Sequence, residues 1–580
     1  MKITKLLAVY IGVAVSASGV YAQSDLVSFT GLGRVYITNN NLTGNGVKND
    51  TTSAKRATNG YTLFDLGINV SPSEMLKASV ILRARNNFGG FYGDGSSLNI
   101  RQFRVEGVLG KVVKYQIGDI DLGNTPYTLY NFEEIYHDYE SDIFKVKRDV
   151  VAYENFNFGN KWRLQGGEAK TTLRFNKGID KLKINAFGTR IKKANFSTGQ
   201  PDRLLYGGRL NVIQSKYFEI AGNYVGMSDV AGTVRDTLYQ FNNSVMTADA
   251  KLNFEFDMFD VKAFGEFGNS SFNFKSPKGV KKPFSADDYF YDAGLGAAYK
   301  PGNFSIGIEG SYREVGAQFS SPSAQTRRTY DLYPGTVQPI VLNQYANNTI
   351  NRPQTIMDRV SNTGLYNQSI SPVLMPFLPE YNNITPYGAA TPNRKGFTGK
   401  VIIKDKEKIL QADLTTEMVK EVIGEGTAEL RSFNGLRGGA LLNLNKLLGF
   451  KKLIILSGGY RQEKTTRSGD LKVDLSSTLI DAGLTVEVFK SFDLIGGYKA
   501  IMAKGNEYIA YRDPYNGTIQ SFYNYAVNKN EGIVGVGARY RFSNKSFFTM
   551  NYQYLAYKNK DFEGANYNLD ELFFNYTLVF

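Results

Sequence analysis

Residues 247–256 read TADAKLNFEF. Ala248, Ala250, Leu252, Phe254 and Phe256 fall on one face, and Thr247, Asp249, Lys251, Asn253 and Glu255 on the other. A period of two belongs to an extended strand with two unlike sides, not to a helix. The next stretch repeats it, with Val261, Ala263, Gly265 and Phe267 against Asp260, Lys262 and Glu266. The pattern returns in Tyr291, Ala293, Leu295, Ala297 and Tyr299, in Val534, Val536, Ala538, Tyr540 and Phe542, and in Phe548, Met550, Tyr552 and Tyr554. The apolar face often begins or ends on Tyr or Phe, with small or aliphatic residues between. A lipid-facing strand bordered by an aromatic girdle has this composition. A soluble sandwich also alternates, with its apolar face inward. Length separates the two: these runs extend over about 10–15 residues, against about 5–6 in globular sheets, and about 9–11 tilted residues cross a bilayer.

The connections alternate in length. Short turns are expected at Ser71-Pro72-Ser73-Glu74, Gly110-Lys111, Gly159-Asn160, Gln214-Ser215-Lys216, Pro301-Gly302-Asn303, Asp405-Lys406-Glu407 and Ser543-Asn544-Lys545. Long loops are expected near 40–58, 88–97, 122–147, 229–242, 273–287, 317–394, 419–429 and 512–528. That parity predicts an all-β, up-and-down transmembrane barrel of about 24 strands, with 22–26 as the bounds. The pair around Trp162–Asn176 is its weakest part. Turns would face the periplasm and loops the outside.

The chain ends on Leu572, Phe574, Tyr576, Leu578 and Phe580, alternating to the last residue. This resembles the terminal strand of bacterial outer-membrane proteins, in which alternating apolar residues and a final aromatic are read by the barrel assembly machinery. The resemblance implies an assembly signal at Phe574, Tyr576, Leu578 and Phe580. The closing partner is the first candidate strand, Leu26–Asn39, because lipid cannot satisfy open sheet edges. At the other end, residues 1–22 read MKITKLLAVYIGVAVSASGVYA, with Lys2 and Lys5 ahead of a short apolar core and small residues at 20 and 22. They are expected to be a cleaved export signal, being too short for a spanning helix, and 23–580 to be the barrel. The leader, the Tyr- and Asn-rich loops and the Ala22–Gln23 junction are similar to outer-membrane proteins of Bacteroidota, and so of a Gram-negative envelope. The chain is expected to depart from TonB-dependent transporters in one respect: its first strand would begin within a few residues of the leader, leaving no room for an N-terminal plug domain.

Of the 580 residues, none is Cys, one is His (His137), 59 are Gly, and 38 Tyr and 39 Phe accompany a single Trp. Disulfides, thiolate metal sites and a Cys-linked lipid anchor are excluded. Outer-membrane barrel enzymes rely on His; here His137 and Asp138 sit in an acidic loop without a nucleophile motif, so no enzymatic activity and no cofactor is expected. The net charge of +14 is dispersed, which suits lipopolysaccharide phosphates or anionic solutes in a pore better than nucleic acid.

The polar faces supply candidate lumen-lining residues: Arg104, Glu106, Arg209, Asp249, Lys251, Glu255, Lys262, Glu266, Asp292, Lys499, Arg539 and Arg541, with Lys114, Lys183, Glu219, Asp481 and Glu487 in the same series. Their signs nearly balance, which predicts a hydrated charge ladder of modest selectivity. Two insertions are candidates to narrow the pore. The 317–394 segment either folds into the lumen or stays on the surface. The 122–147 segment carries Tyr127, Tyr130, Glu133, Glu134, His137 and Asp138, a set that fits sugar stacking or a Ca²⁺ ion, or more simply a constriction held by tyrosine hydrogen bonds. Two functions remain open. One is a porin-like channel passing small polar solutes or ions. The other is a barrel subunit of a secretion or surface-display assembly that binds a protein partner such as a surface lipoprotein. Lipid, lipopolysaccharide, periplasmic chaperones and the assembly machinery are expected partners under both.

Overall fold

The computed structural model describes residues 26–48, 55–89, 95–133, 136–155, 164–234, 239–276, 279, 281–327, 339–341, 349–361 and 370–580. The expected leader, Glu134, Trp162 and the turn at Gly159-Asn160 lie outside these. One antiparallel sheet of 22 strands closes on itself, each strand pairing with its neighbours in the chain. The strands β1 Val27–Thr43, β2 Arg56–Ser73, β3 Leu76–Asn87, β4 Ser96–Leu109 and β5 Val113–Ile120 precede a helix, α1, Asp142–Asn155. Then come β6 Leu164–Arg174, β7 Lys181–Lys192, β8 Arg203–Ile213, β9 Phe218–Asp229, β10 Gln240–Glu255, β11 Phe259–Lys275, β12 Phe284–Tyr299 and β13 Phe304–Val315. A second helix, α2, Ile356–Ser361, lies in the long insertion that follows. The barrel is completed by β14 Arg394–Asp405, β15 Leu410–Lys420, β16 Ser432–Asn443, β17 Ile454–Arg467, β18 Val473–Phe489, β19 Phe492–Arg512, β20 Ile519–Arg541, β21 Phe547–Asn559 and β22 Tyr567–Val579.

Closure follows the expected route. β1 pairs β22 from Leu32 opposite Val579 to Thr43 opposite Asn568, and the Phe580 N–H donates to the Gly31 carbonyl at 3.2 Å. The 22 strands sit at the lower expected bound. The stretch 162–176, read as a strand pair, supplies the single strand β6. The long loop expected at 512–528 is instead the six-residue connection 513–518. β19 and β20 run for 21 and 23 residues and stay paired out to Arg512 opposite Ile519, so ladder hydrogen bonds take up the expected loop.

Side chains sort by parity as the pattern requires. Outward residues form an apolar belt, Leu295 and Phe267 being 68% and 65% exposed. Inward Thr549, Asn551, Asn575 and Thr577 are buried. Among the described residues no helix is long and apolar enough to cross a membrane. Both ends of the paired sheet, at Val27 and Val579, lie at the end where the connections are two to ten residues long. We call it the turn end and the other the loop end.

Candidate functional site

The lumen is where polar side chains converge, and two insertions of the chain fill much of it. The connection from β5 to β6 turns inward. The wall makes room for it with glycines: Gly439, Gly459, Gly483, Gly497 and Gly535 lie on five successive strands, β16–β20. Gly439 pairs with Gly459, Gly483 with Gly497 and Gly497 with Gly535. A Cβ on Gly459 would stand 2.2 Å from the His137 ring, one on Gly483 2.1 Å from Ser141 Cβ, and those on Gly497 and Gly535 2.7 and 2.8 Å from Ile143. Backbone can approach side chain this closely only where the wall has none of its own. Residues 137–144 therefore lie in a track of bare backbone.

Ion pairs fasten this insertion around the barrel. Lys499 on β19 reaches both Glu140 and, at 3.1 Å, Asp481 on β18. Asp481 also faces His137 Nε2 at 3.3 Å. Arg148 of α1 lies 2.7 Å from Glu140. Burial pushes the Glu140 carboxyl up, but Lys499 and Arg148 outweigh it and hold the group below its ordinary value. Along α1, Asp142 meets Arg539 of β20 at 2.9 Å and Lys147 pairs with Glu571 of β22. Glu154 meets Arg34 of β1 at 3.0 Å and Arg85 of β3 at 3.1 Å. The Tyr153 hydroxyl donates to Asp65 of β2 at 2.6 Å, which is also held by Arg83 at 2.7 Å. On the opposite wall, the Tyr127 hydroxyl donates to Asp292 at 2.8 Å and the Thr125 hydroxyl to Glu266 at 2.6 Å.

The second insertion enters beside the first. Arg352 is fully buried; it grips Asp358 with two nitrogens at 2.7 and 2.8 Å and donates to the Tyr567 hydroxyl at 2.7 Å. Burial would raise Asp358, yet Arg352 holds it below its ordinary value. Lys529 of β20 lies 2.8 Å from both Glu380 and Glu531, and Asn383 donates to Glu507 at 2.8 Å and Thr465 at 2.9 Å. The Tyr130 N–H donates to the Ser323 carbonyl and the Phe132 N–H to the Thr326 hydroxyl, both at 2.9 Å, tying the insertions together. Ile143 and Phe144 share an apolar cluster with Ile356, Met357 and Tyr381, against inward Leu479, Ile495, Ile501, Ile533 and Leu555 of the wall. The 317–394 segment thus folds into the lumen over its described part. The hydrated charge ladder expected of the lining is interrupted on this side, where a ring of inward aliphatics meets apolar partners from both insertions.

Most candidate lining residues do face inward. Arg209 pairs with Asp249 at 2.7 Å, Lys262 with Glu309, and Arg104 with Glu106 at 2.7 Å. Arg541 bridges Glu487 at 3.0 Å and Asp493 at 2.9 Å. Lys183, Lys251 and Glu255 are exposed in the lumen; Lys114 and Glu219 share the inward parity of Gln116 and Asn223 on their strands. Glu266 and Asp292 meet the insertion rather than water, and so does Lys499, through Glu140. Among the loop candidates, Tyr127 and His137 are buried contacts, Glu133 is half-buried, and Tyr130 and Asp138 are exposed. The carboxylates of this segment do not converge: Glu140 goes to Lys499 and Asp142 to Arg539. Nor is His137 set up as a base. Its Nε2 faces Asp481, and its Nδ1 accepts the Tyr139 N–H at 3.2 Å. Sequence reasoning missed α1, although Asp142 opens it and Ile143, Val146, Val150 and Val151 recur at helical spacing.

Cavities approach the plugged region from both ends. One of about 830 Å³ at the turn end is lined by Arg34, Arg104, Lys145, Tyr153, Arg539 and Phe580. One of about 760 Å³ at the loop end is lined by Arg394, Arg431, Glu507, Tyr511, Phe522 and Tyr523 among others.

No protein-family model matches the chain, and no curated protein does. Solved structures that align with it include a BenF-like porin from Pseudomonas fluorescens, 9% identical over 96% of this chain and 100% of that one, TM-score 0.34. OpdK, an outer-membrane protein of Pseudomonas aeruginosa, is 8% identical over 96% and 99%, TM-score 0.35. Wzi of Escherichia coli, described as a carbohydrate-binding β-barrel of capsule assembly, is 11% identical over 78% and 83%, TM-score 0.34. At these scores the likeness carries no argument about this lumen; the large closed barrel stands on its own strand pairing.

Proposed function

We propose that this chain is an outer-membrane channel for small polar solutes or ions, held shut in the present conformation by its own insertions. One observation carries the reading: the α1 insertion is fastened to the wall by non-covalent ion pairs, and cavities reach towards it from both ends. Charges buried in an ion pair regain their hydration when the pair opens into water. A plug docked through Lys499, Glu571, Arg34 and Arg539 is therefore cheaper to displace into a wet lumen than one docked through apolar contacts alone. The polar residues left on the wall would then line the path, and the near balance of sign predicts modest ion preference. No enzymatic step is part of the reading.

Planar-bilayer recording of the purified protein tests it. Rare, discrete openings are expected, becoming frequent when α1 is loosened. A protein that never conducts, even with α1 loosened, would overturn the proposal. A second reading, a barrel subunit of a secretion or surface-display assembly, is favoured by β19 and β20. Their 21 and 23 residues exceed the about 9–11 needed to cross, and Tyr511, Tyr515 and Tyr523 stand exposed at their loop end. Stable co-purification of a surface lipoprotein would support it. Under both readings Phe574, Tyr576, Leu578 and Phe580 serve as the signal for the barrel assembly machinery, after periplasmic chaperones have carried the chain.

A further inference from the structure

The excess positive charge is not spread evenly along the barrel axis. Across the ten turn-end connections there are eleven lysines and four carboxylates, Glu74, Asp180, Asp257 and Glu407, and every one of these lysines is exposed. The contrast is sharpest over β14–β22. There the turns 406–409, 444–453, 490–491 and 542–546 carry seven lysines against Glu407 alone. The loops of the same sector, 421–431, 468–472, 513–518 and 560–566, carry Arg431, Lys472 and Lys560 against seven carboxylates. Lys111, Lys177, Lys408, Lys451, Lys490 and Lys545 have no carboxylate partner among the described residues.

Beside these lysines the outer surface is apolar. The connection 444–453 is the longest of the turns and holds a five-residue helix, Leu444–Leu448. It exposes Leu447, Leu448 and Phe450, and the end of β18 exposes Phe489 at 68%. These side chains continue the lipid-facing belt formed by Leu456, Leu484 and Leu494 on the same strands. Apolar side chains that prolong a lipid belt, capped by exposed ammonium groups, fit one neighbour: the headgroup layer of a leaflet whose phosphates carry net negative charge.

We propose that the turn end of the barrel is a phospholipid-binding collar that retains anionic phospholipids of the leaflet facing the periplasm, with Lys451, Lys452, Lys490 and Lys545 as its densest sector. The collar rests on the membrane placement given above and adds which leaflet and which lipid class the charge serves. The loop end, acidic in this sector, is not its counterpart for lipid A phosphates. Each lysine at an anionic surface contributes on the order of fivefold to local lipid partition.

The test uses the full chain in nanodiscs of phosphatidylcholine containing phosphatidylglycerol and lipid A as equal minor lipids. Native mass spectrometry reads the lipids that stay bound after release. Retained phosphatidylglycerol should exceed its share of the disc, and fall at least about tenfold in the variant Lys451→Gln/Lys452→Gln/Lys490→Gln/Lys545→Gln. The matched loop-end variant Lys472→Gln/Lys560→Gln should change nothing. Heat-modifiable migration on gels confirms that each variant is a closed barrel. Enrichment that is absent, or that survives in the turn-end variant, overturns the collar. So does retention of lipid A by the same lysines in place of phosphatidylglycerol. Failure of the chain to enter the disc at all would instead sink the membrane placement, a distinguishable result.

Discussion

Lys499→Met is the perturbation that reads the plug most directly. The ammonium is buried, 3% exposed, between Glu140 of the insertion and Asp481 of the wall. Removing one partner of a buried pair costs about 3–5 kcal/mol, because the other charge is left without compensation. Two neighbours soften the loss here: the Arg148 guanidinium stays 2.7 Å from Glu140, and His137 Nε2 stays 3.3 Å from Asp481. The lower end, about 3 kcal/mol, therefore applies. At about 1.4 kcal/mol per tenfold, the ratio of docked to undocked plug falls about 100-fold. No ladder hydrogen bond of the barrel is touched, so the wall should survive. In planar bilayers the open probability of single channels should rise by a comparable factor. The double variant Glu140→Gln/Lys499→Met removes both charges and should recover most of the closed time, as a coupled pair requires. If the single variant forms a closed barrel, yet its open probability stays within about threefold of the parent, the plug is not a gate.

Gly483→Val places a branched side chain where Cβ alone already meets Ser141; the insertion should lose its seat, seen as new protease cleavage within 121–155 while the barrel stays resistant. Acid should act in the same direction. The Glu140 and Asp358 carboxyls lie below their ordinary values, so their contribution to docking is complete above the ordinary carboxylate pKa of about 4 and is lost as pH falls through the lowered values. Channel opening should therefore rise below about pH 4, with an alkaline-only response contradicting the argument. Leu295→Arg, on the lipid face, should cost about 2–4 kcal/mol of folding stability in urea titration in liposomes, whereas a soluble surface would tolerate it.

The wall was legible because lipid on one side and polar matter on the other impose a period of two on every strand; TADAKLNFEF alone shows it. The C-terminal alternation likewise announced the closing strand. What fills the lumen was harder to read. Inward Leu479, Ile495, Ile501, Ile533 and Leu555 break the polar face, but beside outward Leu484, Leu494 and Val534 they read simply as richer apolar runs. The glycines of the track look like ordinary small residues until the register sets Gly439, Gly459, Gly483, Gly497 and Gly535 on five adjacent strands. Helix α1 was submerged in a segment judged by its tyrosines and carboxylates. The ion pairs between insertion and wall join residues hundreds of positions apart, and no local pattern encodes them.

The path of α1 bears on how the cylinder holds together. Lys147 clasps the last strand through Glu571, while Glu154 clasps the first through Arg34, so one rigid rod bridges the only junction that the continuous chain does not sew. Backbone pairing there joins the two ends of the described chain. On the channel reading proposed above, a rod that swings away to admit solute would unfasten the clasp at that junction too. On that reading, gating and the mechanical integrity of the hoop would draw on the same few charges.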